Sequence, residues 1–243
     1  NYAGSSASEI DASATCPTFA VTYQFTPQFM MYANHSESFD EGTVVGSSYA
    51  NRGETIPPAK TKQNEVGFKH QSKGLLQTLS YYKMRKQGTN DVLRGGLKYL
   101  EIDKEQKYSG VEYSAVGKIS PQLDMILALN WLQAEQTDGN SVLGLPKWAG
   151  TAALVYKPTE DLSVIGRLNY SAKARIRHSD PLDVPAYTTF DLGLNYKTKI
   201  SSKDVTFSLM CSNLFDKRYW YASGSSIALG MPRTVSLSAS CDF

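Results

Sequence analysis

The side chains able to do chemistry are few and scattered. His35, His70 and His178 fall in different segments, and neither they nor Cys16, Cys211 and Cys241 have metal-ligand spacing. There is no Gly-x-Ser-x-Gly elbow, no His-Glu-x-x-His and no phosphate loop. Glu112, Asp124 and Asp191 could be imagined as an acid–base pair. Each shares its side of an alternating pattern with cations such as Lys118, Arg167 or Lys197, so they read as structural charges on a wet surface. No catalytic residue, metal or cofactor is therefore assigned, and the chain is not expected to be an enzyme. Two other clusters suit recognition. Tyr219, Trp220 and Tyr221 form the densest aromatic group in any loop, and Arg175, Arg177 and His178 form a compact basic one. Aromatic walls with a few donors are what a small, apolar-rimmed ligand requires. The competing reading is a membrane-interface girdle for the aromatics and a solvated loop face for the basic group.

The elements that position these groups show a period of two. Phe190, Leu192, Leu194 and Tyr196 alternate with Thr189, Asp191, Gly193 and Asn195. Leu162, Val164, Gly166, Leu168 and Tyr170 repeat the pattern, as do Leu123 to Trp131, Trp148 to Tyr156, Val111 to Ile119 and Phe19 to Phe25. The parity of Leu76 to Met84 stays open, because Leu79, Tyr81 and Tyr82 conflict. The apolar faces lack charge across their middles and often carry Trp or Tyr at their ends, which is the pattern of strands in a bilayer. Hydrophobic residues make up 41% of the 243 residues and charged ones 20%, unremarkable for a soluble protein. In a barrel wall, however, only every second residue meets lipid. The net charge of +2 argues neither for a nucleic-acid partner nor for an acidic ligand, and no nucleic acid is expected as a partner; the 15 tyrosines suit a membrane interface.

Connections alternate strictly. Short ones fall near 26–28, 71–74, 120–121, 157–161 and 198–203. Long ones fall near 38–61, 86–104, 135–145, 173–185 and 214–232. Short periplasmic turns opposite long extracellular loops are the habit of outer-membrane barrels. The count is about eleven strands, with a further hairpin conceivable within 86–104. An odd number, in a chain that starts at Asn1 rather than Met, reads as part of a larger barrel. Such an open sheet is not expected to insert alone as a stable monomer.

The segment Asn213-Leu214-Phe215-Asp216-Lys217-Arg218-Tyr219-Trp220, then Gly230-Met231-Pro232-Arg233-Thr234-Val235 and a terminal Phe243, resembles the C-terminal end of TonB-dependent siderophore receptors. Pro58 to Gly67, Gly110-Val111-Glu112 and Val184 to Asp191 agree, and the resemblance runs from about Thr18 to Phe243. It implies an all-β, antiparallel transmembrane barrel of about 22 strands. Residues 1–243 would be the C-terminal half, with the plug domain absent. It also implies a bacterial outer-membrane location and uptake of ferric siderophores, with iron as cargo rather than cofactor. TonB would act through the missing N-terminal region. The siderophore is left open, with hydroxamates favoured over catecholates. Passive conduction by a shortened barrel and a soluble β-rich interaction domain are the alternatives. Asn213, Asp216 and Arg233 are expected to tie the last long loop to the wall. The last strand, with Val235, Leu237, Ala239, Cys241 and Phe243 on one face, resembles the family's assembly signal. Strand parity carried forward from Leu209 and Cys211 sends Tyr219 outward and Trp220 inward, making Trp220 and Tyr221, with Arg175, Arg177 and His178, the expected ligand residues. The same parity keeps Cys211 and Cys241 lipid-facing and too far apart to join.

Overall fold

The computed structural model describes residues 15–40, 42–178, 182–224 and 226–241. Phe243 lies outside the described residues. In chain order the strands are β1 (Thr18–Thr26), β2 (Phe29–Asp40), β3 (Thr43–Val44), β4 (Thr55–Ile56), β5 (Ala59–Ser72) and β6 (Leu75–Arg94). There follow β7 (Leu97–Ser120), β8 (Leu123–Glu135), β9 (Trp148–Tyr156), β10 (Leu162–Ser171), β11 (Ala174–Arg177) and β12 (Leu182–Val184). The last are β13 (Tyr187–Ile200), β14 (Lys203–Ser212), β15 (Trp220–Ser223), β16 (Ser226–Leu229) and β17 (Thr234–Cys241). Eleven of them form one antiparallel sheet in the order β1-β2-β5-β6-β7-β8-β9-β10-β13-β14-β17. The other six make three small hairpins in the long connections. The sheet is an unclosed wall with β1 and β17 at its edges.

Register carries a single outward face across the wall. Phe68, Leu79, Tyr113, Leu129, Gly150 and Tyr170 are successive cross-strand neighbours. Val66, Tyr81, Val111, Trp131 and Trp148 form the next row. Large apolar side chains such as Phe19, Val21, Leu154, Leu192 and Leu237 stand exposed on this face. That is the expected state of a lipid-facing surface without its lipid. The open parity of β6 is resolved, with Leu79 and Tyr81 outward and Ser80 and Tyr82 inward. Cys211 stands opposite Val235 and Cys241 opposite Val205. The two cysteines are thus six residues out of step (235 to 241), about 20 Å along the strand, too far for a disulfide.

The short connections are two-residue turns where the backbone allows. Lys73–Gly74 (φ 49° and 86°) and Ser201–Ser202 (φ 50° and 65°) take the left-handed geometry that matches strand twist. The 86–104 connection departs from expectation. It is no loop and adds no strand to the sheet. β6 and β7 run on past the wall as a long hairpin with a bulge at Gln87/Gly88, closed by Gly95–Gly96 (φ 58° and 79°). Gly-Gly supplies the turn, and the polar extension needs no apolar alternation because water lies on both sides.

Candidate functional site

The inner face carries the polar groups. Glu65, Ser80, Glu112, Asn130, Thr151 and Asn169 line a recess of about 610 Å³ that reaches Tyr187 at its upper end. Tyr32 donates to Glu65 Oε1 at 2.5 Å, and its ring lies over Gly67, where a Cβ would come within 2.5 Å of it. Arg167 Nε donates to Asp191 Oδ2 at 2.8 Å, as expected for a structural pair. Asp124 instead pairs with Lys157, not with its cross-strand neighbour Lys118. Lys157 sits in the adjacent turn, just after β9, the strand that pairs with β8. Glu112 has no ion-pair partner among the described residues, and the Oδ1 of Asn130, directly across from it, is buried without a hydrogen-bond partner.

The top of the wall is organised by Asn213. Its backbone leaves β14 at φ 50°, and Asp216 repeats that turn at φ 50°. Asn tolerates this conformation better than most residues. Its N–H donates to Asp191 Oδ1 at 2.8 Å, and its Nδ2 donates to the carbonyls of Lys217 and Met231, both at 2.9 Å. Its Oδ1 accepts from the Lys217 N–H at 2.9 Å. Asp216 Oδ1 accepts the backbone N–H of Arg233 at 3.0 Å, so in this contact Arg233 acts through its main chain rather than its guanidinium. One end of Asp191 thus ties the 213–233 connection to the wall while the other holds Arg167 and Asn169.

These two left-handed residues end the strand alternation, so parity carried from Leu209 does not reach the aromatic cluster. Tyr219 is not an outward girdle residue. Its ring stacks on Tyr187 (centroids 4.2 Å apart, planes 25°), which lines the inner recess, and it packs over Gly230. Trp220 and Tyr221 lie in the β15–β16 hairpin, 46% and 41% exposed. β15 lies against β11 and β12, the hairpin that carries Arg175 and Arg177. The strands that carry the two clusters the sequence set apart therefore meet. The 136–147 connection joins them: Gly144 donates to the Arg175 carbonyl at 2.7 Å, and its backbone sits so close to Gly224 that a Cβ would fall 2.6 Å from it. Arg175 is hydrogen-bonded to Asp183 in a two-pronged pair, and Lys173 lies 3.6 Å from the same carboxylate. The Arg175 hydrogen bond holds the Asp183 carboxyl below its ordinary range despite some desolvation, and raises the guanidinium in return. His178 follows β11 with its Nε2 buried and unpartnered among the described residues. Tyr187 and Gly144 were not singled out from sequence, and Asp191 was read there only as a structural charge facing cations such as Arg167. Tyr187 and Asp191 do fall in the Val184 to Asp191 motif, which was the available signal.

The assembly is a mouth of two loop hairpins and the 136–147 connection over a polar inner wall, with no constellation of nucleophile, base and orienter among the described residues. Comparison with known proteins agrees with this geometry. Residues 1–214 match the model of the family described as TonB dependent receptor-like, beta-barrel. The chain is 27% identical over 245 residues to the metal-pseudopaline receptor CntO of Pseudomonas aeruginosa, covering 95% of this chain and 34% of that protein. It is 24% identical over 255 residues to the ferrichrome receptor FcuA of Yersinia enterocolitica, covering 98% and 33% respectively. The crystal structure of BauA, the ferric preacinetobactin receptor of Acinetobacter baumannii, superposes with a TM-score of 0.80 at 31% identity, over 95% of this chain and 36% of that one. The chain spans about a third of the length of each of these three proteins. All three of these relatives are receptors. The exposed apolar outer face, the polar inner wall and the loop-built mouth are those of an outer-membrane barrel segment, and the chain belongs to the TonB-dependent receptor β-barrel family.

Proposed function

We propose that residues 1–243 form the C-terminal part of the barrel of an outer-membrane receptor that takes up a ferric siderophore. The protein does no chemistry on its cargo, and iron is carried as the siderophore complex. Energy comes through TonB by way of an N-terminal region, and a plug domain fills the inner recess. The observation that carries the reading is the convergence of β11–β12, β15–β16 and the Gly144 segment above that recess, which brings the strand that carries Arg175 and Arg177 against the one that carries Trp220 and Tyr221. A plug explains a further feature. Leu76, Val116 and Ile126 are cross-strand neighbours on the inner face, 42%, 47% and 46% exposed, and an apolar inner row needs cover.

The test is equilibrium binding of a panel of ferric hydroxamates, catecholates and mixed carboxylates to the full-length receptor. Trp220→Ala removes an aromatic wall of about 2 kcal/mol and is expected to weaken the best ligand by roughly 30-fold. Unchanged affinity in both Trp220→Ala and Tyr221→Ala would remove the mouth from the site. Passive conductance through the full-length protein would overturn the plugged, coupled reading.

A further inference from the structure

The positive charge of the chain is concentrated at the mouth. The connections 136–147, 173–184 and 214–233 hold seven Lys or Arg against four Asp, a surplus of three, while the whole chain carries +2. The rest of the chain is therefore net negative. Part of the surplus converges on one place. On the inner face, Asn130, Ala149 and Ser171 line the polar recess below the mouth. The ladder runs on past them. Leu132 N–H donates to the Lys147 carbonyl at 2.9 Å, and Ala172 N–H donates to the Trp148 carbonyl at 2.8 Å. Alternation keeps Leu132 and Lys147 on the inner face, two residues above Asn130 and Ala149, which are cross-strand partners. Lys173 follows Ser171, the partner of Ala149, at the same spacing. Lys147, Lys173 and Arg175 line a second recess there, of about 550 Å³.

The charges of this recess are unbalanced. Arg175 is held by Asp183 in the two-pronged pair, and Lys173 lies 3.6 Å from the same carboxylate, so one Asp answers two cations. Glu135 is the other carboxylate of the lining. It belongs to the outward side of β8, where it stands opposite Lys107 and accepts from Gln133 at 2.6 Å. Lys147 has no carboxylate within ion-pair distance among the described residues. Two lysines brought to neighbouring strands on one face repel, and a site that gathers them calls for an anion. Val142 and Leu145 add apolar surface, and the volume is that of a small-molecule site. The strand that carries Arg175 also packs against β15, which carries Trp220 and Tyr221.

We propose that this recess binds its ligand by charge, and that the receptor selects ferric complexes of net negative charge. Lys147 and Lys173 take the anionic oxygens, and Arg175, fixed by Asp183, completes the basic wall. The assignment rests on the siderophore reading of the mouth and gives the class of cargo. Coordination chemistry separates the classes. Three hydroxamate arms just balance a ferric ion, whereas three catecholate or α-hydroxycarboxylate arms exceed its charge. The cargo is therefore an anionic complex rather than the neutral hydroxamate that the sequence reading favoured. Cations at the mouth also draw an anion in from solution, an attraction that salt screens.

The experiment uses the full-length receptor and two synthetic ferric complexes on one tripodal amine scaffold, one with catecholamide arms and one with hydroxamate arms. The two differ in charge and little in size. Dissociation constants are read from quenching of the intrinsic fluorescence at low and high salt. The parent receptor is expected to bind the catecholate complex roughly tenfold more tightly, with the advantage shrinking as salt rises. Lys147→Gln should weaken the catecholate complex about fivefold and K147Q/K173Q about twentyfold, with the hydroxamate complex changed by less than about twofold. Lys147→Arg, which keeps the charge, should restore what glutamine loses. Glu135→Gln should tighten the catecholate complex about twofold, a gain that misfolding cannot mimic. Lys157→Gln, in a turn at the far end of the wall, should change nothing. Tighter binding of the neutral complex, or equal weakening of both complexes by the glutamine variants, overturns the proposal and leaves the receptor function standing. Binding of neither tripodal complex overturns it too, even where another ferric ligand binds. If no ferric complex of any class binds, the proposal and the siderophore reading fall together.

Discussion

Replacing Asn213 by alanine tests the link between wall and mouth most directly. The residue is 4% exposed, and its side chain makes three hydrogen bonds, two as donor to the carbonyls of Lys217 and Met231 and one as acceptor from the Lys217 N–H. Each is a neutral bond worth about 1 kcal/mol net. Alanine must also hold φ near 50°, where Asn is tolerated and a plain Cβ costs about 1 kcal/mol more. The loss comes to about 4 kcal/mol. It should fall on local opening of the 213–233 connection, because the eleven-stranded ladder does not depend on that side chain. In amide hydrogen exchange on the folded receptor, protection of residues 214–232 should drop by roughly a thousandfold, while β9, β10 and β13 keep theirs. Asn213→Gly loses the same three bonds but accepts the backbone angle, so it should retain about fivefold more protection than alanine. Unchanged protection in Asn213→Ala, or a glycine variant worse than the alanine one, would refute the reasoning.

Two further outcomes follow from the mouth. A Cβ at Gly230 would lie 2.2 Å from the Tyr219 ring, so Gly230→Ala must push that ring off Tyr187 at a cost of about 2 kcal/mol; faster trypsin cleavage at Lys217 and Arg218 reads it, and an unchanged rate counts against the stack. The Asp183 carboxyl is held below its ordinary range, so the stability it lends the β11–β12 hairpin is present above the unfolded carboxylate pKa and is lost as pH falls through the depressed folded value. Hydrogen exchange at 174–177 and 182–184, corrected for the intrinsic rate, should rise in that acid window. Asp183→Asn should abolish the rise, and its persistence would point to another group.

The wall could be read from the sequence because its physics is local. Side chains alternate across a strand, and only one side meets lipid, so Phe190, Leu192, Leu194 and Tyr196 disclose both the strand and its outward face without any partner. Turn chemistry is just as local, so the pairs Lys73–Gly74 and Ser201–Ser202 close hairpins where the apolar alternation stops. The reading failed where a backbone angle or a remote contact intervened. Parity could not cross Asn213 and Asp216, because a left-handed residue resets the direction of every side chain after it. That is why Tyr219 lies against Tyr187 rather than in the girdle. The 86–104 segment lacks apolar alternation because both its faces are wet, and it hydrogen-bonds as two strands all the same. The meeting of β11 with β15, across about 45 residues of chain, depends on the register of β10, β13 and β14 and on the close approach of Gly144 to Gly224. Such proximity belongs to the folded sheet, since no short-range pattern of residue types encodes which loops stand side by side at its upper edge.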